Sequence, residues 1–223
     1  MKIAIIGYGK MGHAVEEFAL KQGHEVVCTL DKGDSWPVQT GADVAIEFTT
    51  PDTAFANLER CLEAGIPVVC GTTGWYERYD EIKDLCRKRN GRMLTATNFS
   101  LGMNIMFALN ERLAALMRNL PYQVAISETH HIHKLDAPSG TAITLQQQIV
   151  REGHRQKSEI PITSYREGEV PGTHTVVYDS AIDTISLTHE AHSREGLAQG
   201  ALLAAQWLTG AIPGVYTMKD LLG

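Results

Sequence analysis

Short apolar segments alternate with amphipathic segments over the first hundred residues, and this alternation constrains the fold more than any other feature of the chain. The apolar segments are rich in β-branched residues, which is typical of strands buried on both faces of a sheet. The segments between them carry apolar residues at helical spacing, and the one that starts at Pro51 ends at Gly65. The sequence therefore predicts an α/β fold, a parallel sheet with helices on its faces, with strands at 2–6, 25–30, 42–49, 67–70 and 92–97.

After Asn98 the pattern changes to a mixture of longer helices and alternating strands. The predicted helices of this part lie at 104–120, 139–152 and 194–208, and the predicted strands at 122–131, 162–168, 172–180 and 183–191. The last two strands are predicted to form an antiparallel hairpin. We therefore predict an α/β domain over 1–98 and an α+β domain over 99–208, with the tail at 209–223 packing back on the first domain.

The charge and the cysteines of the chain narrow the class of protein. With a formal net charge of -6 and no run of Lys or Arg, the chain lacks the basic face of a nucleic-acid binder. No apolar run approaches the roughly 18 residues that span a bilayer, so no membrane partner is expected. The four cysteines form no C-x-x-C pair, and glycines interrupt the N-terminal apolar run too early for a signal peptide. Reduced thiols and a cytoplasmic location are therefore expected.

A glycine-rich loop follows the first predicted strand and opens the first predicted helix with the sequence Gly7-Tyr8-Gly9-Lys10-Met11-Gly12. In this G-x-G-x-x-G spacing, Gly7 permits a tight turn, Gly9 lets the backbone approach a pyrophosphate, and Gly12 lets the helix pack close to the strand. The helix N-terminus adds free N–H groups and a partial positive charge. These six residues are therefore predicted to bind a dinucleotide, and a glycine-rich turn that binds nothing is the alternative.

The residues after the second predicted strand bear on which nucleotide is bound. Asp31 stands where an acid binds the ribose hydroxyls of NAD, whereas its neighbour Lys32 can pair with the 2′-phosphate of NADP. NADH and NADPH therefore both remain candidate cofactors. Only the segment KGDSWPVQTG separates Asp31 from the third predicted strand, which is short for a crossover that contains a helix. We therefore expect a loop over 32–41 and an open adenine pocket.

Two further loops follow predicted parallel strands at their carboxyl ends, where ligands of such sheets bind. Their sequences are GTTGW at 71–75 and TNFSLGMN at 97–104. We expect cofactor contacts from Gly71, Thr72, Thr73, Thr97, Asn98 and Phe99. Ordinary turn chemistry is the alternative for these small, polar residues.

Three histidines and a lysine lie within five positions, as His130, His131, His133 and Lys134. A zinc site is one interpretation, but no cysteine lies near, and Lys134 would add positive charge beside the metal, so we predict no metal. A solvated loop is a second interpretation, because clustered histidines are often only polar.

The residues downstream favour a third interpretation. Ser139 is a good helix N-cap, and the helix that follows offers the N–H groups of Gly140 and Thr141 to a carboxylate. The histidines and the lysine upstream add positive or proton-donating groups. An anion pocket beside proton donors, in a chain with a dinucleotide loop, indicates reduction of an anionic substrate with protonation by the cluster.

The segment ETHHIHKLDAPSGTA at 128–142 resembles the signature E-x-H-H-x-x-K-x-D-A-P-S-G-T-A of the 4-hydroxy-tetrahydrodipicolinate reductase family, also called dihydrodipicolinate reductases. The segments GYGKMG, EFTTPDT, GTTGW, NFSLGMN and HEAHSREGLAQGAL are similar to the family too, in the family's order. The resemblance implies a Rossmann-type cofactor domain and a mixed-sheet domain for substrate binding and homotetramer formation. It also implies hydride transfer from NADH or NADPH to C4 of a cyclic dicarboxylate of the diaminopimelate–lysine pathway, giving tetrahydrodipicolinate and water.

The motif match further implies roles for single residues. His130 takes the position of a proton donor or acceptor and Lys134 that of a proton donor, and the substrate-binding positions fall on His131, Gly140 and Thr141. Two other classes stay open, a different NAD(P)-dependent reductase of an imine or carbonyl acid and a nucleotide sensor without turnover. Proton donors beside the anion pocket argue against the sensor, which has no need of them.

Overall fold

The computed structural model describes residues 1–36, 41–193 and 195–223. The chain divides into two compact units. Unit 1 comprises Met1–Ser100 and Glu195–Gly223, and unit 2 comprises Leu101–Arg194.

The sheet of unit 1 is entirely parallel, as predicted, and has six strands, one more than the five predicted. Its strands are β1 (Lys2–Ile6), β2 (Glu25–Leu30), β3 (Val44–Glu47), β4 (Val68–Cys70), β5 (Arg92–Thr95) and β10 (Gly214–Tyr216), in the order β10-β5-β4-β3-β1-β2. Every residue of β3 and β4 is buried, as expected for strands at the centre of a sheet that is covered on both faces. The strand order reverses between β1 and β3, and open α/β sheets bind ligands at such a switch point.

The helices of unit 1 are α1 (Lys10–Lys21), α2 (Pro51–Glu63), α3 (Tyr79–Lys88), α6 (Glu195–Gly210) and α7 (Met218–Leu222). Helix α6 packs on α1 and on β3, β4 and β5, so it lies in unit 1, whereas the sequence grouped 194–208 with the second domain. A Cβ on Gly200 would lie 1.7 Å from the carbonyl oxygen of Phe99, so α6 packs directly against the backbone that follows β5. The tail beyond α6 contributes β10, which pairs with β5.

The loop predicted at 32–41 includes residues 37–40, which lie outside the described residues. The described residues on either side, between Leu30 and Val44, form no helix and no strand.

Unit 2 is a four-stranded mixed sheet covered on one face by helices α4 (Leu101–Met117) and α5 (Gly140–Gly153). Its strands are β6 (Gln123–His130), β7 (Ile162–Arg166), β8 (Gly172–Asp179) and β9 (Thr184–Ala191), in the order β7-β6-β8-β9. Strand β7 is parallel to β6, and the other pairs are antiparallel. The predicted hairpin is confirmed as β8 and β9, with a turn closed by a hydrogen bond from Ser180 N–H to the Asp183 carbonyl.

Together, the parallel sheet of unit 1 and the mixed sheet of unit 2 confirm the predicted fold class. No helix among the described residues is long and apolar enough to cross a bilayer.

Candidate active site

The glycine motif that spans the β1–α1 loop and the first turn of α1 can be built only with glycine at two of its positions. Gly7 has a φ of +91°, and a Cβ there would lie 1.9 Å from the Phe48 carbonyl oxygen. A Cβ on Gly12 would lie 2.3 Å from the Gly7 carbonyl oxygen, so the first turn of α1 packs directly on the loop. Gly9 is the N-cap of α1, makes no side-chain cap, and has open space where a Cβ would stand. The N-terminus of α1 therefore offers its first N–H groups to an anion.

Tyr8, between the first two glycines, is tied to helix α1 through its side chain. Tyr8 donates its hydroxyl proton to the Glu16 carboxylate, and its ring lies 4.0 Å from the His13 ring, centroid to centroid. Lys10 is exposed and Met11 is half-buried.

The end of β2 lies beside the glycine loop. The Gly7 N–H donates to the Leu30 carbonyl at 2.8 Å, which fixes the loop next to Asp31. Asp31 and Lys32 are both exposed, and the Asp31 N–H donates to the Asp34 carboxylate at 2.7 Å. Both candidate ribose-binding side chains thus lie at the carboxyl end of β2, where the sequence predicted them.

Among the residues predicted to bind cofactor after β4, two have packing roles. A Cβ on Gly71 would lie 2.0 Å from the Phe48 ring, so this glycine makes room for Phe48. The Thr72 hydroxyl accepts the Thr49 N–H at 2.7 Å, and the Thr72 carbonyl accepts the Trp75 indole N–H at 2.8 Å. Thr73 is exposed at the same edge of the sheet.

The loop after β5 shows the same division of roles. Phe99 is buried and meets the Phe48 ring edge-on at 5.8 Å. The Asn98 side-chain oxygen accepts the Ser100 N–H at 2.8 Å, which shapes the loop, while Thr97 is exposed. At this edge, Thr73 and Thr97 have the most accessible side chains of the six predicted residues.

Sequence reasoning missed the contribution of β3 to this edge. Glu47 is completely buried and accepts hydrogen bonds from the Thr49 hydroxyl, from Cys70 Sγ at 3.0 Å and from Asn57 Nδ2 at 3.5 Å. It thereby joins the ends of β3 and β4 to helix α2. The signal was a single acid inside the apolar run VAIEF, since a buried carboxylate needs hydrogen-bond donors.

In unit 2, one row of polar residues crosses the buried face of the sheet. Glu128 on β6 stands directly opposite Ser164 on β7 and His174 on β8, and His174 in turn stands opposite His189 on β9. His130 lies two residues beyond Glu128 and shares its face, because side chains alternate along a strand. Neither Glu128 nor His174 was among the residues predicted for the site.

Glu128 is almost fully buried yet well provided with donors. Its Oε1 accepts the Ser139 N–H at 3.0 Å and the Ser164 hydroxyl at 2.8 Å, and its Oε2 accepts the Ser139 hydroxyl. Burial pushes the pKa of Glu128 up, but the hydrogen bonds from Ser139 and Ser164 outweigh it and hold that pKa below its ordinary value. Glu128 is therefore a carboxylate at neutral pH.

His130 lies against this carboxylate. Its Nδ1 is 3.6 Å from Glu128 Oε2, and its ring meets the His174 ring edge-on at 5.0 Å. Burial lowers the pKa of His130; Glu128 opposes that shift, and Lys134 and Arg166 add to it. The imidazole is therefore neutral at neutral pH.

Lys134 is held beside His130 by the turn that follows β6. Its Nζ donates to both carboxylate oxygens of Asp136, at 2.7 and 3.0 Å, and this hydrogen bond lowers the pKa of Asp136. The Arg166 guanidinium donates to the backbone carbonyls of Lys134 at 3.2 Å and Asp136 at 2.5 Å. The loop that carries Lys134 is thus fastened to β7.

Strand β6 ends at His130, so the alternation considered for the histidines does not continue beyond it. His131 is half-buried in the turn. His133 is exposed, and its Nε2 is 3.3 Å from the exposed carboxylate of Glu169, which agrees with its having no assigned role.

Helix α5 begins where the sequence placed its cap. Ser139 Oγ accepts the Ala142 N–H at 3.2 Å, as an N-cap does. Gly140 is exposed with open space around it, and Thr141 is half-buried. The first turn of α5 therefore has an accessible side on which a carboxylate can meet backbone N–H groups.

Within the described residues, Glu128, His130 and His174 form the one group whose ligand atoms lie close enough to hold a metal, within 4.8 Å of one another. Glu128 already accepts three hydrogen bonds, and the Arg166 guanidinium lies 3.8 Å from Oε1. This surrounding of donors and positive charge favours a hydrogen-bonded carboxylate over a metal ligand.

Unit 2 is predicted to lose stability in mild acid because of His174. Burial, reinforced by His130, lowers the pKa of His174 to about 4, although Glu128 pulls it upward. The unfolded chain takes up this proton near pH 6.5 and the folded protein only near pH 4, so stability that is complete above pH 6.5 is lost as the pH falls between these values. The loss should be roughly 3 kcal/mol.

Urea unfolding of the full chain at several pH values in this window measures the loss of free energy of unfolding. His174→Asn should flatten the pH dependence. An equally steep dependence in that variant would assign it to other groups.

Comparison with known proteins agrees with this arrangement. Residues 1–99 match the family model described as dihydrodipicolinate reductase, N-terminus, and residues 102–222 match dihydrodipicolinate reductase, C-terminus. The curated 4-hydroxy-tetrahydrodipicolinate reductase of Christiangramia forsetii is 46% identical over 234 residues, which cover 100% of this chain and 98% of the relative. The protein of the same name from Alkaliphilus oremlandii is 37% identical over 240 residues, with the same coverage.

A solved structure shows the same fold. The dipicolinate-bound dihydrodipicolinate reductase from Paenisporosarcina sp. TG-14 superimposes with a TM-score of 0.83 at 24% identity, covering 97% of each chain. Both halves of the chain match the family, and the curated relatives match it along nearly their whole length. The chain therefore belongs to the 4-hydroxy-tetrahydrodipicolinate reductase family, oxidoreductases of diaminopimelate and lysine biosynthesis.

Proposed function

We propose that the chain reduces 4-hydroxy-tetrahydrodipicolinate to tetrahydrodipicolinate, with unit 1 holding NADH or NADPH and unit 2 holding the cyclic dicarboxylate. The observation that carries the proposal is the neutral, buried His130 beside Lys134 and the open N-terminus of α5, all within the family signature. The Paenisporosarcina protein, which shares the fold, binds dipicolinate, a planar dicarboxylate.

The nucleotide site proposed for unit 1 is the carboxyl edge of its sheet. The residues there fit a dinucleotide, because Gly9 leaves open space at the uncapped N-terminus of α1, where a pyrophosphate can approach. Asp31 and Lys32 face the ribose end, and Thr73 and Thr97 offer hydroxyls at the nicotinamide end. The bound nicotinamide supplies a hydride.

The substrate site proposed for unit 2 is built for negative charge. The N–H groups of Gly140 and Thr141 hold one carboxylate at the N-terminus of α5. His131 and the Lys134 ammonium lie in the turn that precedes this helix and supply further donors. This local positive charge explains how a protein with a net charge of -6 binds a dianion.

The proton chemistry is assigned to two side chains. Reduction consumes one proton in addition to the hydride, and the hydroxyl leaves C4 as water. Lys134 donates from Nζ, which reaches the substrate by exchanging its contact with Asp136 for one with a carboxylate or hydroxyl. His130 exchanges a proton through its imidazole, since the nearby dianion favours the protonated ring.

Asp31 and Lys32 are predicted to set nucleotide preference in opposite directions. Asp31→Ala should weaken NADH binding about tenfold, because the carboxylate bonds the ribose 2′-hydroxyl, and should leave NADPH binding nearly unchanged. Lys32→Ala should weaken NADPH binding instead, since the ammonium pairs with the 2′-phosphate. Titration calorimetry of both variants with both nucleotides measures the four effects. Equal changes for NADH and NADPH in either variant would remove that residue from the ribose site.

The chain is further proposed to be a homotetramer that assembles through the sheet of unit 2 and works in the cytoplasm. The face of this sheet opposite α4 and α5 leaves half of Tyr165 exposed, an apolar surface that a second sheet can cover. The four cysteines are free thiols, as expected in a reducing compartment. Analytical ultracentrifugation of the wild-type protein and of Tyr165→Asp tests the assembly, and a monomer in both would contradict it.

A further inference from the structure

The buried Glu128 has more contacts than a structural carboxylate needs. Three donors, the Ser139 N–H, the Ser139 hydroxyl and the Ser164 hydroxyl, bond to its two oxygens. In addition, Nδ1 of His130 and Nε2 of His174 each lie 3.6 Å from Oε2. A buried negative charge is costly, and keeping one between two imidazoles calls for a reason beyond stability.

We propose that Glu128 is a positioning residue for the reduction, one that orients the imidazole of His130 and the N-terminus of α5 with a single carboxylate. The inference rests on the role of His130 given above and goes beyond it by assigning what holds that ring.

The contact with His130 selects one tautomer of the ring. Nδ1 of His130 is buried and makes no hydrogen bond within the described part of the chain, and Glu128 Oε2 lies 3.6 Å from it. A lone pair on Nδ1 would face the negative charge, whereas an N–H would point its positive end at it. Glu128 therefore favours the Nδ1–H form and leaves Nε2 as the nitrogen that exchanges a proton with substrate.

The same carboxylate also bonds to Ser139, the N-cap of the helix that is proposed to bind substrate. The Ser139 hydroxyl donates to Glu128 Oε2, so its oxygen lone pairs are directed to the Ala142 N–H at 3.2 Å. The Ser139 N–H is also fixed, at 3.0 Å from Oε1. Glu128 thereby sets the first turn of α5, whose N–H groups at Gly140 and Thr141 are proposed to hold a substrate carboxylate.

Other charged and titratable groups also face His130, and the test must separate them from Glu128. They lie on every element around the ring: Arg166 on β7, His174 on β8, and Lys134 and Asp136 in the turn after β6. A substitution of Glu128 alone leaves all of these in place.

The first experiment observes the ring directly, by nitrogen-15 NMR titration of the imidazoles, with His130→Gln identifying the His130 signals. The wild-type protein should show the Nδ1–H tautomer. Glu128→Gln should shift the ring toward Nε2–H and lower its pKa, because a nearby negative charge has been removed. The matched control is Ser164→Ala, which removes one hydrogen bond from the same carboxylate but keeps its charge, and it should leave the tautomer unchanged.

Glu128→Asp guards against a Gln variant that does not fold. It keeps the charge but draws it back from Nδ1, so a smaller shift in the same direction supports the proposal. An unshifted ring in both folded variants, or in Glu128→Asp alone when Glu128→Gln does not fold, would overturn it. Equal shifts in Glu128→Gln and Ser164→Ala would also overturn it, because they would reflect loosening of the sheet.

Steady-state kinetics supply the second readout. Glu128→Gln should raise KM for the dicarboxylate about tenfold through the loosened α5 N-terminus. It should also move the His130-dependent limb of the pH profile, identified by its loss in His130→Gln, to lower pH. A KM and a limb like those of the wild-type enzyme would contradict the role. If the wild-type chain proved inactive on this substrate, the proposed function would fail, while the NMR experiment would still decide the Glu128–His130 contact.

Discussion

Lys134→Ala is expected to lower kcat by about 10²- to 10⁴-fold while leaving nucleotide affinity unchanged. The physical reason is that the Lys134 ammonium is proposed to hold the dianionic substrate and to donate a proton, and its side-chain partner Asp136 lies in the same turn of unit 2. Nucleotide binding is proposed for the glycine loop of unit 1, which the substitution does not touch. Substrate-dependent oxidation of NADPH and equilibrium nucleotide binding measure the two effects separately.

Lys83→Ala is the matched control for this variant. Lys83 also pairs with a neighbouring aspartate, with Nζ 2.9 Å from Asp80, but it lies on α3 of unit 1. It should keep wild-type kcat. A fall in nucleotide affinity for Lys134→Ala as large as its fall in kcat would contradict a purely chemical role.

Gly7→Ala is expected to destabilise unit 1 by about 3 kcal/mol or more and to abolish nucleotide binding. The substitution places a Cβ 1.9 Å from the Phe48 carbonyl oxygen, which is backbone and cannot swing away, at a φ of +91° that disfavours any side chain. The loop must therefore move, and with it the N-terminus of α1. Urea unfolding and nucleotide titration measure the two losses.

Two glycines separate backbone strain from the steric clash. Gly23 has a φ of +75° but open space around it, so Gly23→Ala should cost only about 1–2 kcal/mol and keep nucleotide binding. Gly9→Ala should fold normally, because no atom lies within 4 Å of its Cβ, yet bind nucleotide weakly, because that space is proposed for the pyrophosphate. A Gly7→Ala protein as stable as Gly23→Ala would show that the clash is relieved without loss.

The order of strands and helices could be predicted from the sequence, because the spacing of apolar residues within each segment differs between strands and helices. Apolar runs such as VVC and the alternation along β6 predicted the two sheets correctly. The placement of α6 was not readable, since an alanine-rich helix can pack on either sheet. It is the close approach of Gly200 to Phe99 that ties it to unit 1, and such a contact depends on residues far apart in sequence. Helix α4 begins at Leu101, three residues before the predicted start, although Gly102 in its first turn is a poor helix former.

The residues of the candidate site could be predicted from the sequence where they form a continuous motif, but not where residues of different strands come together. The glycine loop and the 128–142 segment were evident as strings of residues. Glu47, Glu128 and His174 were not singled out from the sequence, because some of their partners lie on neighbouring strands and only the register of the sheet brings them together. Conversely, Gly71 and Thr72 were predicted as cofactor ligands, yet the structure also gives them structural contacts. Gly71 packs against Phe48, and Thr72 accepts a hydrogen bond from Thr49.

Oxidation of NADH and NADPH by the wild-type chain, with 4-hydroxy-tetrahydrodipicolinate made in situ by a coupled synthase, tests the central claim most directly. The account predicts that the absorbance of the reduced nicotinamide falls only when the substrate is present, and that His130→Gln and Lys134→Ala slow the fall severely. A wild-type protein that binds either nucleotide but oxidises neither in the presence of this substrate would contradict it.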